Sequence, residues 1–401
     1  ALDTGVVPLG NMEAVQFHPT TLSPSGILVT EGCRGDGGYL LDKNMNRFMV
    51  EAEPEKQELA SRDVVSRHMV QAMRDGDGVD SPYGPHLWLD IRHLGEEHLR
   101  TKLLEVWDIC RDFVGRNPAE ELIPVRPTQH YSMGGVRVNK DGQAYGLAGL
   151  FAVGEAACWD MHGFNRLGGN SLSETIVTGR VVGARVAEYA AGTDLRSNTG
   201  FAFDALAKAE ATAAGWMARS GAGRNVYEIR DAMGEIMMHK VGIFRTGDEL
   251  TEAVAELGQL LDDCDNAVLR CKDPGVNPEL AFALRLKGML RLAMTVARGA
   301  LARTESRGAH FRSDFPLRND KEWLNRTLAR WGEADSEPSL SYEPTGIIDL
   351  EPGFRGYGAD ERIEMTESVD GHNARVLDEQ TGHGRLPTAE DMGSRLRGIH
   401  E

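Results

Sequence analysis

A polar, glycine-rich segment at residues 159–174 does most to constrain the fold of this chain. The apolar run 149–153 precedes it and ends in Gly154 and Glu155, and a helical pattern follows it at 172–189. A strand that passes through such a loop into a helix is the crossover of α/β folds, where ligands bind. We therefore predict an α/β fold with a ligand site at this loop.

The start of the helix carries two candidate caps. Ser171 and Glu174 have the spacing of a capping box, and Asn170 offers a cap one residue earlier. A helix that begins here would direct its first amides and the positive end of its dipole back towards Gly154 and Glu155. This setting suits a phosphate, a carboxylate or the electron-rich edge of a ring.

Arg166 lies in the same loop, between Gly163 and the pair Gly168 and Gly169. Glycines allow backbone to approach a bound molecule closely, and an arginine there can hold a carboxylate through two parallel hydrogen bonds. An ordinary capped helix with a surface arginine explains this segment equally well. The segment therefore does not decide the function alone.

Further segments with the same polar character are spread along the chain. They are Gln16-Phe17-His18-Pro19-Thr20, Val29-Thr30-Glu31-Gly32-Cys33-Arg34-Gly35-Asp36-Gly37-Gly38, Ser61-Arg62-Asp63 and Arg126-Pro127-Thr128-Gln129-His130-Tyr131-Ser132-Met133-Gly134-Gly135. With the Arg166 segment they resemble, in order and spacing, the flavoprotein subunit of fumarate reductases and succinate dehydrogenases. The resemblance covers residues 10–186 and resumes at 303–314, and it is strongest to the menaquinol-linked fumarate reductases of anaerobic bacteria.

The resemblance implies a multi-domain α/β (α+β) fold: part of a Rossmann-like FAD-binding domain with an inserted capping domain, then a helical bundle and a small C-terminal domain. The expected bounds are 1–12 for the end of the flavin-binding domain, 13–126 for the capping domain, 127–195 for the returning flavin-binding segment, 196–305 for the helical domain and 306–401 for the C-terminal domain. Within them we predict β-rich runs such as 26–30, helices such as 62–74, a linker at 192–200 and little periodicity at 335–365.

Flavoprotein subunits of this family begin with a G-x-G-x-x-G turn that holds the dinucleotide, followed by a histidine that attaches FAD covalently. No G-x-G-x-x-G occurs in the 401 residues. We therefore expect this chain to be the C-terminal two thirds of a larger polypeptide and the attaching histidine to lie outside it.

Site residues follow from the resemblance. His18 and Thr30 match holders of one substrate carboxylate, and His130 and Arg166 match holders of the other. Arg62 matches the proton donor. Arginine is ordinarily a poor acid, so the family's relay, matched by Glu31 and Arg34, would return its proton. The expected FAD contacts are Gly154, Glu155, Asn170, Ser171 and Leu172.

Each matched residue also has an ordinary structural explanation. His18, before a proline, could be a turn histidine satisfied by backbone, and Thr30 could be a plain strand residue. Arg62 and Asp63 could form a surface ion pair worth about 0 to 1 kcal/mol. His130 could be a packed core imidazole. Five such coincidences in order would be needed together, so we favour the functional interpretation.

Three other features have separate interpretations. Cys33 has a cationic neighbour that could lower its thiol pKa, although no catalytic step is assigned to it. His162 and Asn165 flank Arg166 and are expected to be structural, whereas His310 could contact a partner or cap a helix end. The stripe Leu286, Leu290, Ala293, Ala297 and Leu301 has helical spacing and predicts bundle core.

Composition excludes several classes of function. The net charge of −17 argues against nucleic acid and against docking on anionic lipid through a basic face. The five cysteines have neither C-x-x-C spacing nor a disulfide pattern, so we expect reduced thiols and no metal or iron–sulfur cluster in this chain. No apolar run reaches the roughly 20 residues of a membrane span.

The resemblance implies partners that this chain does not contain. They are an iron–sulfur subunit and a cytochrome b type membrane anchor with menaquinol as electron donor, which would hold the protein peripherally on the cytoplasmic side of the inner membrane. One site plan serves fumarate reduction and succinate oxidation, so the direction stays open. L-aspartate oxidase and soluble fumarate reductase are alternatives, and a non-catalytic fragment or assembly piece is an alternative of another class.

Overall fold

The computed structural model describes residues 1–193, 199–332 and 336–346. In these ranges helices and strands follow one another as a mixed α and β architecture. The strands are β1 Leu9–Gly10, β2 Val15–Leu22, β3 Tyr39–Leu41, β4 Leu87–Asp90, β5 Ile123–Ser132, β6 Gly135–Arg137, β7 Ala157–Cys158, β8 Asn325–Arg330 and β9 Ser339–Pro344. The helices are α1 Gly32–Gly35, α2 Met49–Ala52, α3 Arg62–Arg74, α4 Glu96–Lys102, α5 Leu104–Val114, α6 Asn170–Gly192, α7 Thr199–Ala218, α8 Val226–Lys240, α9 Gly247–Asn266, α10 Pro278–Ala302 and α11 Asp320–Trp323.

Two sheets organise the chain. The first has the order β7-β6-β1-β8-β9, in which only β6 and β7 are parallel. Strands from near residue 10 and from residues 325–344 therefore share one sheet with the returning segment. The second sheet, with the order β2-β5-β4-β3, is antiparallel throughout.

The second sheet and helices α3 to α5 enclose a core of their own. Val64, Val65 and Met69 on α3 are buried in it, together with Leu87 and Leu89 on β4. The helix predicted at 62–74 is confirmed at those bounds. Because Arg62 is the first residue of α3, packing of this helix against the sheet sets the position of its backbone.

Helices α7 to α10 form a bundle, as the helical pattern after residue 200 predicts. Leu286, Leu290, Ala293 and Ala297 are buried in its core, and Leu301 packs against it partly buried. The prediction that this stripe is core is confirmed. Apolar residues that recur every three or four positions lie on one face of a helix, so burial of that face follows from the sequence.

Two local predictions are wrong. The apolar run 149–153 is not a strand: Phe151 makes a single bridge with Gln143. The run 26–30 likewise has one bridging residue, Leu28, which pairs with Thr21. Gly149 and Gly26, the first residues of the two runs, have positive φ angles, so neither glycine can be part of an extended strand.

The predicted domain bounds stay predictions. Strand β5 crosses the expected boundary between 126 and 127, and β8 and β9 join the first sheet from the expected C-terminal domain. Residues 194–198 of the predicted linker, 333–335, and 347–401 of the predicted C-terminal domain lie outside the described residues. Among the helices of the described ranges, none is both long and apolar enough to cross a membrane.

Candidate active site

Arg62 lies at the centre of the predicted site, buried and held by two acceptors. Its Nε and Nη2 atoms each lie 2.8 Å from Glu31 Oε2, and its Nη1 donates to Gln16 Oε1 over 3.1 Å. The alternative of a surface pair with Asp63 is wrong, because Asp63 pairs with Arg67 one helical turn later. The guanidinium is therefore fixed by groups far away in sequence.

Glu31 connects Arg62 to the second arginine of the predicted relay. Its Oε1 lies 3.9 Å from Arg34 Nη2, and its side chain keeps 38% exposure. Arg34 is fully buried, donates through Nη1 to the backbone oxygen of Glu58, and has no hydrogen-bond partner at Nε or Nη2. Burial lowers the pKa of Arg34, and Glu31 only partly offsets this. The three side chains thus form a contiguous path from Arg34 to Arg62.

The two predicted histidines face each other. The rings of His18 and His130 are 5.1 Å apart and meet edge to face. His18 Nδ1 lies 3.2 Å from both the backbone N–H and the backbone oxygen of Thr20, so the backbone of one residue holds this side of the ring. His18 lies within a bulged strand, so its predicted place in a turn is wrong, whereas the contact with backbone that this alternative expected is present.

Arg166 joins this group from the loop before α6. Its Nη2 donates to His130 Nε2 over 2.8 Å, and its buried Nε has no partner. An arginine only donates, so neutral His130 carries its proton on Nδ1. The guanidinium lies 4.4 Å from the centre of the Tyr131 ring, and Gln16 Nε2 donates to the Arg166 backbone oxygen over 2.7 Å.

Thr30 lies in the loop before α1, not in a strand as its sequence context also allowed. Its hydroxyl oxygen accepts the N–H of Gly32 over 3.2 Å, so the hydroxyl proton stays available for another acceptor.

Gly168 lies against the ion pair of Arg62 and Glu31. A Cβ on Gly168 would lie 3.1 Å from Glu31 Oε2 and 3.4 Å from Arg62 Nη2. Glycine at 168 therefore allows the loop to pass directly over the ion pair.

The electrostatics of the site favour anions. Burial, then the charges of Arg62, Arg34 and His130, lower the pKa of His18 from 6.5 to about 2. Burial, then Arg62 and Arg166, lower the pKa of His130 to about 4. Both imidazoles are consequently neutral hydrogen-bond donors at neutral pH, while the three arginines supply the positive charge.

These shifts predict acid sensitivity of the fold. Unfolded imidazoles bind a proton near pH 6.5, whereas folded His18 and His130 do not until about pH 2 and 4. The unfolded state therefore binds more protons in this window, and stability falls as pH drops from 6.5 towards 4, by up to about 1.4 kcal/mol per pH unit for each histidine. We expect His18→Gln to flatten the pH dependence of the urea midpoint between pH 7 and 5. The exposed His239→Gln should keep the wild-type slope, and equal slopes for all three proteins would contradict the assignment.

The capping box predicted at the start of α6 is wrong. The N-cap is Gly169 in a left-handed conformation, with no side-chain cap, and the first helical residue is Asn170. Glu174 is buried and bonds three other side chains instead, which leaves Ser171 without its expected partner. The chain does build a capping box, at Asn225 and Glu228 on α8.

The predicted FAD contacts lie around this uncapped helix start. Gly154 has φ of +60°, and a Cβ there would lie 3.1 Å from Thr175 Oγ1 on α6. The other four predicted contacts are exposed or half-buried around the same helix end: Glu155, Asn170, Ser171 and Leu172. Glu155 Oε1 accepts the backbone N–H of Ser132 over 2.9 Å. A helix start without a side-chain cap, beside a glycine turn, fits the electron-rich edge of a flavin ring.

Other sequence interpretations have clear outcomes. Cys33 is wrong as a low-pKa thiol, because burial raises its pKa to about 12. His162 and Asn165 are structural as expected: His162 bonds Glu174, and Asn165 accepts from Gln16. His310 is fully buried between Arg245 and the backbone oxygen of Arg303, the C-cap residue that follows α10. Of its two predicted roles, contact with the helix end therefore applies.

Two residues that support this cluster were not predicted in that role. Gln16 binds Arg62 with its amide oxygen and the Arg166 backbone with its amide nitrogen. It lies in a quoted motif, yet no sequence signal shows which buried amide bridges two arginines. Glu174 could have been found, because it shares the four-residue spacing of the buried face of α6 with Thr178 and Val182. All five cysteines are free as expected, and no group of three possible metal ligands occurs in the described ranges.

Comparison with known families defines the class of protein. A family model described as an FAD binding domain matches residues 1–172, and one described as the fumarate reductase flavoprotein C-terminus matches residues 230–357. The two matches define the class as an FAD-binding flavoprotein.

Individual relatives narrow this class. The fumarate reductase flavoprotein subunit of Helicobacter pylori is 48% identical over 388 residues, which cover 89% of this chain and 54% of the relative. A solved Escherichia coli quinol fumarate reductase superposes with a TM-score of 0.81 at 37% identity, over 87% of this chain and 61% of the other. A quinol-fumarate reductase solved with menaquinol molecules superposes with a TM-score of 0.80 at 37% identity, over 86% of this chain and 62% of the other.

The chain belongs to the fumarate reductase and succinate dehydrogenase flavoprotein family. It spans between about half and three fifths of the length of these relatives. The resemblance read from the motifs is thus confirmed, and so is the mixed α and β multi-domain fold.

Proposed function

We propose that this protein reduces fumarate to succinate as the FAD-bearing flavoprotein subunit of a quinol:fumarate reductase, with succinate oxidation as the reverse direction. One observation carries the proposal. Three arginines and two neutral imidazoles are linked in one buried cluster, and Glu31 is the carboxylate paired there. Three arginines with one paired carboxylate leave positive charge unbalanced, and a bound dicarboxylate supplies two negative charges.

His18 and Thr30 hold one carboxylate in this proposal. In the tautomer whose Nδ1 accepts the Thr20 N–H, His18 carries its ring proton on Nε2 and donates it to the carboxylate. The hydroxyl proton of Thr30 is the second donor, because the hydroxyl oxygen accepts the N–H of Gly32. Arg166 holds the other carboxylate, and its unpaired buried Nε is a donor that a substrate oxygen would satisfy. His130 supports it from the other side through Nη2.

FAD, when bound, supplies the hydride for one alkene carbon. Arg62 supplies the proton for the neighbouring carbon, and Glu31, which already bonds Arg62, returns a proton to it. Arg34 extends this path, and its lowered pKa makes proton release easier than for an exposed arginine. Fixing donors in place before substrate arrives removes the cost of orienting them during the reaction.

Gly154, Glu155, Asn170, Ser171 and Leu172 would hold the flavin, with covalent attachment through a histidine outside this chain. The proposed partners are an iron–sulfur subunit and a cytochrome b type membrane anchor that draws electrons from menaquinol. The protein would then lie peripherally on the cytoplasmic side of the inner membrane. The solved quinol-fumarate reductase with menaquinol supports this assignment by likeness.

L-aspartate oxidase and soluble fumarate reductase are the competing enzymes, and a non-catalytic assembly piece is the competing class. The test measures flavin content and the reduction of fumarate by a reduced viologen dye. We expect flavin that stays with the protein after acid precipitation, together with fumarate-dependent dye oxidation. Released flavin with aspartate oxidation would identify the oxidase. Protein without flavin or dicarboxylate binding would identify the assembly piece.

A further inference from the structure

Three hydrogen-bond donors converge on one carboxylate behind the substrate cluster. The side chain of Glu174 is 2% exposed. Its Oε2 accepts from Tyr131 Oη over 2.9 Å and from His162 Nε2 over 2.7 Å, and its Oε1 accepts from Trp159 Nε1 over 2.8 Å. The donors belong to β5 and to the loop after β7, and the acceptor belongs to α6. This one carboxylate therefore ties three segments together.

Tyr131 connects that carboxylate to the site. Its phenol donates to Glu174, and the face of its ring lies 4.4 Å from the guanidinium carbon of Arg166. Burial, then the hydrogen bond to Glu174, raise the pKa of Tyr131, so the phenol stays protonated and keeps donating. A cation over an aromatic face is attracted by the ring quadrupole, most strongly where water is excluded.

Arg166 has few other constraints on its guanidinium. Nη1 reaches only the backbone oxygen of the adjacent Leu167 over 3.1 Å, Nη2 reaches His130, and Nε has no partner. In the described part of the chain no carboxylate forms an ion pair with it. The plane of the Tyr131 ring therefore does much to define where this guanidinium lies.

We propose that Glu174 is a positioning residue, which acts through Tyr131 to hold Arg166 in the orientation that receives a substrate carboxylate. The proposal rests on the proposed function, since it assumes that Arg166 binds a dicarboxylate. Glu174 itself contacts no reacting atom. Its effect should appear in substrate affinity and not in the proton-transfer step.

Glu174→Gln in the FAD-loaded holoenzyme tests this. The amide keeps an acceptor for Trp159 but presents an NH2 group to the donors Tyr131 and His162. We expect KM for fumarate and Kd for malonate to rise about tenfold, the effect of roughly one lost charge-assisted hydrogen bond, with kcat changed less than about threefold. An unchanged KM and Kd would overturn the proposal.

A double-mutant cycle separates positioning from general structural damage. Arg166→Lys keeps a charge but loses the planar fork that stacks on Tyr131. If Glu174 acts through Arg166, Glu174→Gln should add little to the KM of the Arg166→Lys protein. Full additivity of the two effects would show that Glu174 acts elsewhere and would overturn the proposal.

Tyr131→Phe decides the matter if Glu174→Gln does not fold. It keeps the ring beneath Arg166 and removes only the phenol oxygen, so KM should rise again, and an unchanged KM would count against the proposal. Glu279→Gln is the matched control: Glu279 is also buried and accepts from Asn225 and Cys271, but in the bundle. Its KM should equal that of the wild type.

Failure of the proposed function gives a different pattern. In that case the wild-type holoenzyme would neither reduce fumarate nor bind malonate. If the wild type does both, and the Glu174→Gln protein matches its KM and Kd, only the positioning role of Glu174 is excluded.

Discussion

Arg62→Gln is expected to lower fumarate turnover by about 10²- to 10⁴-fold, the usual contribution of a positioned general acid. Glutamine can still bond Glu31 or Gln16 but carries no proton that it can release. Dicarboxylate binding should stay within about threefold of wild type, because Thr30, His18 and Arg166 are untouched. Steady-state fumarate reduction with a viologen donor and titration with malonate measure the two effects separately.

Arg74→Gln is the matched control for this variant. Arg74 ends the same helix, is exposed, and stacks its guanidinium 4.7 Å from the ring centre of Phe244, far along α3 from Arg62. Its turnover should equal that of the wild type. Turnover of Arg62→Gln close to wild type would show that another group delivers the proton, and His130, which carries a ring proton on Nδ1, would be examined next.

His18→Ala should lower dicarboxylate affinity more than turnover, the opposite of Arg62→Gln. It removes a carboxylate holder and leaves the acid in place, so affinity should fall while a residual rate remains, because the alkene is misplaced but still receives its proton. The two variants are measured together, because their comparison separates substrate binding from proton transfer. Equal losses of affinity in Arg62→Gln and His18→Ala would contradict the division of roles.

Arg166→Ala is expected to lower kcat/KM for fumarate by more than about 100-fold, which corresponds to about 3 kcal/mol. Truncating one partner of a buried charge pair leaves the other charge unpaired, and such losses commonly reach 2 to 5 kcal/mol. The variant also removes the donor to His130 and the cation above Tyr131. Steady-state kinetics and malonate titration should both show the loss.

Arg230→Ala provides the comparison for Arg166→Ala. Arg230 is an exposed arginine on α8 that pairs with its neighbour Asp231, so its removal should leave fumarate kinetics unchanged. Near-normal fumarate reduction by Arg166→Ala would exclude the clamp. It would also remove the basis for the positioning role of Glu174.

Local sequence patterns predicted helices well where the apolar residues of the helix lie on one buried face. The bounds of α3 and the core stripe of α10 follow from apolar spacing alone. The same reasoning failed at 149–153 and 26–30, because an apolar composition does not show which glycines adopt positive φ. It failed at Ser171 and Glu174 because three distant donors compete for the carboxylate that a capping box would use.

Local patterns were enough to identify the family, the residue types of the proposed site and the helices that support them, since motifs and periodicity are local properties of a chain. The tertiary structure alone decided which groups meet: Arg62 and Glu31 are 31 positions apart, and Gln16 and Arg166 are 150 apart. It also decided the sign of each pKa shift, including the raised pKa of Cys33 beside a buried arginine. Hydrogen-bond partners and burial depend on contacts between distant segments, and no local pattern contains them.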